Sequence, residues 1–98
     1  MAQFSNSITV VTPCLNAAGV IRKNLDSVRR NARTDIEHII VDGGSTDGTQ
    51  EILREYPDIT CVFGDDDGPY DAINQGFARA RGDILAWLNA DDFYIDGA

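Results

Sequence analysis

The chain has 98 residues, 43% of them hydrophobic and 24% charged, which is typical of one small globular domain or part of a larger one. Its net charge of −8 and its single lysine, Lys23, argue against binding to nucleic acid or to anionic membranes, since both require basic clusters. With two cysteines, no membrane-length apolar run and no signal peptide in the first six residues, the sequence predicts a reduced, cytoplasmic protein.

The first predicted strand covers residues 7–12, a run rich in β-branched side chains. Pro13 is expected to end it, because proline cannot donate to a strand ladder. A turn at 16–19 leads into a predicted helix over 20–30. Its apolar residues recur at helical spacing and should face a core; they are Ile21, Leu25 and Val28.

The second predicted strand, 36–41, has the continuous apolar run of a strand that is buried on both faces, as in a parallel sheet. His38 lies in it without a partner motif, so we expect a structural rather than a catalytic histidine. The glycine-rich turn 42–49 then precedes a helix that is expected to reach about Tyr56, with Ser45, Thr46 or Asp47 as its cap. The glycine spacing matches neither a Walker loop nor a dinucleotide fingerprint.

A third short strand is predicted over 59–63, followed by a loop with three consecutive acids, Asp65 to Asp67. These could bind a cation, although a solvated turn is the more ordinary interpretation. The next helix is predicted over 70–81, and Gly82 should end it. Gly76 inside that helix costs about 1 kcal/mol relative to alanine, so we expect it to pack closely against a neighbour.

The fourth predicted strand, 84–88, is apolar and expected to be buried, and it runs into the adjacent acids Asp91 and Asp92. Neighbouring strand residues point to opposite faces, so the two acids cannot both join one core. Carboxylates at the end of a strand suit Mg²⁺ or Mn²⁺, especially together with the phosphates of a ligand. Taken alone, however, such a pair is more typical of a solvated acidic turn.

Strand and helix alternate three times before the fourth strand, which predicts an α/β fold with a parallel sheet and right-handed crossovers. The polar segments that follow the four strands should then meet at one edge of the sheet. Open α/β sheets bind their ligands at that edge, so we expect a ligand cleft there.

Four blocks in this order and at this spacing make the chain resemble the glycosyltransferases of family 2, which have the GT-A nucleotide-sugar fold. The blocks are Val11-Thr12-Pro13 with Asn16, residues 40–49, residues 66–76, and residues 80–83 leading into 87–92. The resemblance covers nearly the whole chain. It implies that the predicted α/β fold is the Rossmann-like, nucleotide-binding half of a GT-A domain, with four strands and three helices.

The resemblance also implies which residues bind a nucleotide-sugar donor: Thr12, Pro13, Asn16, Asp42, Ser45, Asp71, Asn74 and Asp91. Asp42 matches the acid that hydrogen-bonds the base, usually uracil. Residues 89–92 match the family's DxD region, whose acids contact the ribose and hold Mg²⁺ or Mn²⁺. Asn89 replaces the first acid of that motif, so the metal is expected on Asp91 and Asp92.

The implied reaction transfers a sugar, with inversion, from a nucleotide diphosphate sugar such as a UDP-sugar to an acceptor hydroxyl in polysaccharide or glycoconjugate synthesis. In this family the general base and most acceptor contacts lie in the second half of the domain. We therefore expect residues 1–98 to be an N-terminal donor-binding portion that is inactive alone, with the catalytic base unknown. The acceptor, saccharide or lipid-linked, could bring membrane association.

Two other interpretations remain open. A non-catalytic nucleotide-binding or assembly module of the same fold could form a homodimer through an uncovered sheet edge. A phospho-acceptor domain of the flavodoxin-like type also places paired acids at strand ends, but it requires a lysine after a late strand. Lys23 lies in the first predicted helix, which disfavours that second alternative.

Overall fold

The computed structural model describes residues 7–31, 36–64 and 68–95. In chain order its elements are β1 Ile8–Cys14, α1 Ile21–Arg30, β2 Ile36–Asp42, α2 Thr49–Leu53, β3 Ile59–Phe63, α3 Pro69–Ala78 and β4 Ile84–Trp87. The predictions that concern Asp65 to Asp67 and the two chain ends lie outside the described residues.

The four strands form one sheet in the order β3-β2-β1-β4, and every neighbouring pair is parallel. The predicted α/β class and the alternation of strands and helices are therefore confirmed. α1 and α2 pack on one face of the sheet, where Ile21, Leu25 and Leu53 meet Ile40. α3 covers the opposite face. The two central strands are buried almost throughout, as the apolar run of β2 predicted.

The prediction that Pro13 ends the first strand is wrong, because β1 continues to Cys14 and stays paired with β2. The carbonyl of Val11 accepts from the Leu88 amide, so Val11 directs its backbone groups towards β4. Backbone groups alternate sides along a strand, which places the missing amide of Pro13 on the same side. Pairing with β4 stops at Val11, so this proline leaves no ladder bond unmade.

The prediction of a buried fourth strand is also wrong. In the sheet that the described residues form, β4 lies at the edge, and Ile84, Leu85 and Trp87 are 45–54% exposed. The apolar run cannot reveal this, since an edge strand and a central strand have similar composition. Only Leu88, just beyond the strand, is buried, where it packs against Val10 and Val28.

Gly76 confirms the expected close packing between α3 and the sheet. A Cβ atom at this position would lie 2.3 Å from Cγ1 of Val11, far inside van der Waals contact. The glycine therefore lets α3 approach β1 directly. The helix begins at Pro69, whose fixed φ suits a first helical turn, and it ends at Ala78, earlier than predicted.

The second helix is also shorter than predicted, since α2 ends at Leu53 and a turn follows it. In that turn the amide of Tyr56 donates to the carbonyl of Leu53. Within the described residues, no helix is long and apolar enough to cross a bilayer.

Candidate functional site

A cleft of about 360 Å³ lies at the end of the sheet where the carboxyl termini of the strands meet, which is where the sequence predicts a ligand site. One wall is the end of β1 with the segment after it, from Pro13 to Ala17, and a second is the start of α3, with Gly68, Pro69 and Ala72. Asn89, Ala90 and Asp91, after β4, form the third. Of the eight predicted donor-binding residues, Pro13, Asn16 and Asp91 line this cleft.

Asn16 is held at the rim of the cleft by hydrogen bonds to the loop that follows β2. Its φ of 49° lies in the left-handed region, which asparagine tolerates better than most residues. Its amide donates to the hydroxyl of Ser45 at 2.8 Å, and its Oδ1 accepts from the amide of Thr46 at 2.8 Å. These reciprocal bonds join the first and second predicted motifs into one platform.

Asp42 holds the loop that follows β2 in place through hydrogen bonds to Ser45 and Gln50. It is fully buried, and its carboxylate accepts from the amide and hydroxyl of Ser45 and, at 2.8 Å, from Nε2 of Gln50. The buried charge is therefore compensated by hydrogen bonds within the chain. Asp42 and Ser45 stand behind Asn16 rather than on the cleft wall.

Thr12 lies beneath the cleft with its side chain turned into the structure. Its hydroxyl is 2.8 Å from Nε2 of His38, and both residues are buried. Burial lowers the pKa of His38 to about 4, so the imidazole is neutral at physiological pH. His38 is thus the hydrogen-bonded structural histidine that the sequence predicts, and Thr12 can border a ligand only through its backbone.

The two predicted donor residues of α3 are adjacent to the cleft but not on its wall. Asp71 accepts from Nε2 of Gln75 at 2.9 Å, one turn further along the helix, and Asn74 is exposed. From this helix the cleft is lined instead by Ala72, together with the two residues that begin the helix.

Asp91 and Asp92 are both exposed, in a turn that the amide of Asp92 closes on the carbonyl of Asn89 at 3.0 Å. Within the part of the chain that the structure describes, no group of three or more His, Cys, Asp or Glu side chains could hold a metal ion. Two carboxylates beside a cleft nevertheless fit Mg²⁺ or Mn²⁺, which commonly take one or two carboxylates and complete their shell with phosphate and water. The donor set therefore suits a cation that is shared with a ligand.

Sequence reasoning missed two buried polar residues of α1 that hold this acidic turn. Nδ2 of Asn24 donates to the carbonyls of Asn89 and Asp92, at 3.0 and 3.2 Å, and the hydroxyl of Ser27 accepts from the amide of Tyr94 at 3.0 Å. A partial signal was present: Asn24 lies three residues after Ile21 and four before Val28, so it borders the apolar stripe of the helix, and Ser27 follows Asn24 by three residues. Polar side chains on a buried face require partners, and here the partners are loop backbone groups.

The family model described as glycosyl transferase family 2 matches residues 9–98. A PGL/p-HBAD biosynthesis glycosyltransferase of Mycobacterium bovis is 40% identical over 89 residues, which are 86% of this chain and 35% of that protein. An uncharacterised glycosyltransferase of Rickettsia typhi is 33% identical over 93% of this chain and 29% of its own length. The chain thus spans about a third of the length of these relatives.

Two solved structures share the fold. A mannosyltransferase from Pyrobaculum calidifontis, in complex with GDP-Man and Mn²⁺, superimposes with a TM-score of 0.85 and 29% identity, over 94% of this chain and 29% of that one. TarS of S. aureus, in complex with UDP-GlcNAc, gives a TM-score of 0.83 at 23% identity, over 89% of this chain and 27% of that one. The sheet, its helices and the cleft edge therefore have the GT-A architecture.

Proposed function

Because the chain belongs to glycosyl transferase family 2, we propose that its cleft binds the nucleotide diphosphate part of a sugar donor. The observation that carries this proposal is the position of Asp91, which lies on the wall of the cleft beside its exposed neighbour Asp92. Acidic side chains facing an anionic ligand need a cation between them, and the chain itself offers few positive charges.

We assign the donor-binding roles by whether each residue lines the cleft. Asp91 and Asp92 would hold Mg²⁺ or Mn²⁺, which offsets the charge that develops on the leaving diphosphate. Pro13 and Asn16 would border the nucleoside. Asp42 and Ser45 would keep Asn16 in place, with Asp42 reaching the base only if the loop opens. Asp71 and Asn74, which lie in α3 but not on the cleft wall, would contact the part of the donor that extends beyond the cleft.

The proposed reaction is a single displacement with inversion. An acceptor hydroxyl oxygen attacks the anomeric carbon, the bond to the diphosphate oxygen breaks with its electron pair, and the acceptor proton passes to a base. No residue of this chain is assigned as that base, and the acceptor stays open between a saccharide and a lipid-linked compound. UDP is the first nucleotide to test, because the motif resemblance favours uracil.

A second candidate function is a nucleotide-binding module that assembles with another chain without catalysing transfer. The observation that favours it is β4, an edge strand with three exposed apolar side chains and an unpaired backbone edge within the described sheet. Sedimentation analysis separates the two: the assembly function requires a dimer or larger species at micromolar concentration.

Calorimetric titration with UDP tests the proposed function. We expect UDP to bind in Mn²⁺ and to bind much more weakly after EDTA is added, with GDP as the comparison for the base. Asp92→Asn should abolish the metal-dependent part. Asp83→Asn is the matched control, since it removes an exposed acid at the opposite end of β4. Equal metal-dependent binding by the two variants would exclude Asp92 from the metal site.

A further inference from the structure

The segment 89–94, here called the acidic loop, is attached to one face of α1 by three hydrogen bonds. Asn24 donates to the loop carbonyls at Asn89 and Asp92, and Ser27 accepts from the amide of Tyr94. In addition, Nζ of Lys23 lies 4.0 Å from the centroid of the Phe93 ring, within cation–π range. The exposed carboxylates of Asp91 and Asp92 thus project from a loop whose backbone is hydrogen-bonded to α1.

Asn24 is the central contact, because its one amide group bonds two carbonyls that bracket the acidic pair. Asn24 is fully buried, and its Oδ1 accepts no hydrogen bond from the described residues. A buried polar atom without a partner carries an energetic cost, because it loses its hydrogen bonds to water and gains none in the fold. An apolar side chain would avoid that cost at this position on the helix. Asn24 therefore has a destabilising unpaired oxygen, while the hydrogen bonds that its side chain donates all go to the acidic loop.

A fixed backbone matters at this point because two adjacent carboxylates repel each other. Without an anchor, the loop would relax to increase their separation, and a cation would have to restore their spacing on binding. In an anchored loop the backbone is already held in place, so cation binding does not have to supply the free energy of that rearrangement. Groups that orient metal ligands without touching the metal typically contribute about 10–100-fold to metal affinity.

We propose that Asn24 is a positioning residue for the acidic loop: it holds the backbone that carries Asp91 and Asp92 in one conformation, so that a divalent cation need not reorganise the loop on binding. This inference rests on the proposed function, since it concerns the same cation and nucleotide. Ser27 supports the far end of the same loop and should act in the same direction with a smaller effect, because it anchors a single amide.

The test compares Asn24→Leu, which keeps the branched shape of the side chain but removes the donor, with the milder Ser27→Ala. Thr9→Val is the matched control. Thr9 is also fully buried, donates to Glu37 at 2.8 Å and accepts from the amide of Gly82 at 2.9 Å, but it lies at the opposite end of β1 from the cleft. It therefore reports a general loss of buried hydrogen bonds.

Two quantities are measured on the 98-residue chain: the Mn²⁺ concentration at half-saturation of UDP binding, and UDP affinity in EDTA. We expect Asn24→Leu to raise the Mn²⁺ requirement about tenfold while leaving the metal-free UDP affinity unchanged. Ser27→Ala should raise it less, and Thr9→Val should not change it. In metal-free protein, hydrogen exchange at the amides of Asp92 and Tyr94 should accelerate in Asn24→Leu but not in Thr9→Val.

A folded Asn24→Leu protein with the wild-type Mn²⁺ requirement would overturn the inference, as would an equal shift in Thr9→Val. If Asn24→Leu does not fold, Ser27→Ala decides: an unchanged Mn²⁺ requirement overturns the inference, and a raised one with normal metal-free binding supports it. Failure of the wild-type chain to bind UDP with Mn²⁺ is a different result. It would refute the proposed function itself and the inference with it.

Discussion

Gly76→Ala should destabilise the fold, although alanine is the better helix former. The added Cβ would lie 2.3 Å from Cγ1, 2.8 Å from Cγ2 and 3.1 Å from Cβ of Val11. Val11 is fully buried in β1 and pairs with strands on both sides, so neither its side chain nor its backbone can move away. Overpacking of this kind lowers the free energy of unfolding by up to about 3 kcal/mol, and the higher helix propensity of alanine raises it by about 1 kcal/mol. The net loss is about 2 kcal/mol, or roughly 10 °C in Tm for a domain of this size.

Thermal and urea denaturation followed by circular dichroism measure this loss. Gly19→Ala is the matched control, because a Cβ there meets nothing within 4 Å, so its stability should hardly change. In a Val11→Ala background the two nearest clashing carbons are gone, and Gly76→Ala should then cost less than in the wild type. A Gly76→Ala loss equal to that of Gly19→Ala, or strictly additive in the double variant, would refute the packing argument.

Two further predictions concern buried titratable groups. The pKa of His38 is about 4 in the folded chain and about 6.5 when unfolded, so its contribution to stability is complete above pH 6.5 and is lost as the pH falls towards 4. Urea unfolding between pH 7 and 4 should show about 3 kcal/mol more loss in the wild type than in His38→Gln, and parallel curves would contradict this. Burial raises the pKa of Cys14 to about 12, so Cys14 should resist iodoacetamide at pH 8 until the chain is unfolded. Peptide mass spectrometry measures this, and rapid labelling of the folded chain would be the opposing result.

Much of the cleft could be inferred from local patterns. Alternating strands and helices imply a parallel sheet, and a parallel sheet brings the ends of its strands to one edge. That reasoning correctly gathers Pro13, Asn16 and Asp91 around one cavity. It does not distinguish a residue on the wall from one behind it. Asp42 and Thr12 lie within two residues of the carboxyl ends of their strands, as Pro13 does, yet they bond to Ser45 and His38 instead.

Local patterns in the sequence predict the fold class, the family and the end of the sheet at which the cleft lies, because periodicity and motif spacing are local properties of the chain. Three features emerge only in the folded chain: β4 is an edge strand of the described sheet, β1 continues through Pro13, and Asn24 bonds to the acidic loop. Each of these depends on which element lies beside another: the lateral order of strands and the partner of a buried amide are set by contacts between residues far apart in the chain, and no local pattern encodes them.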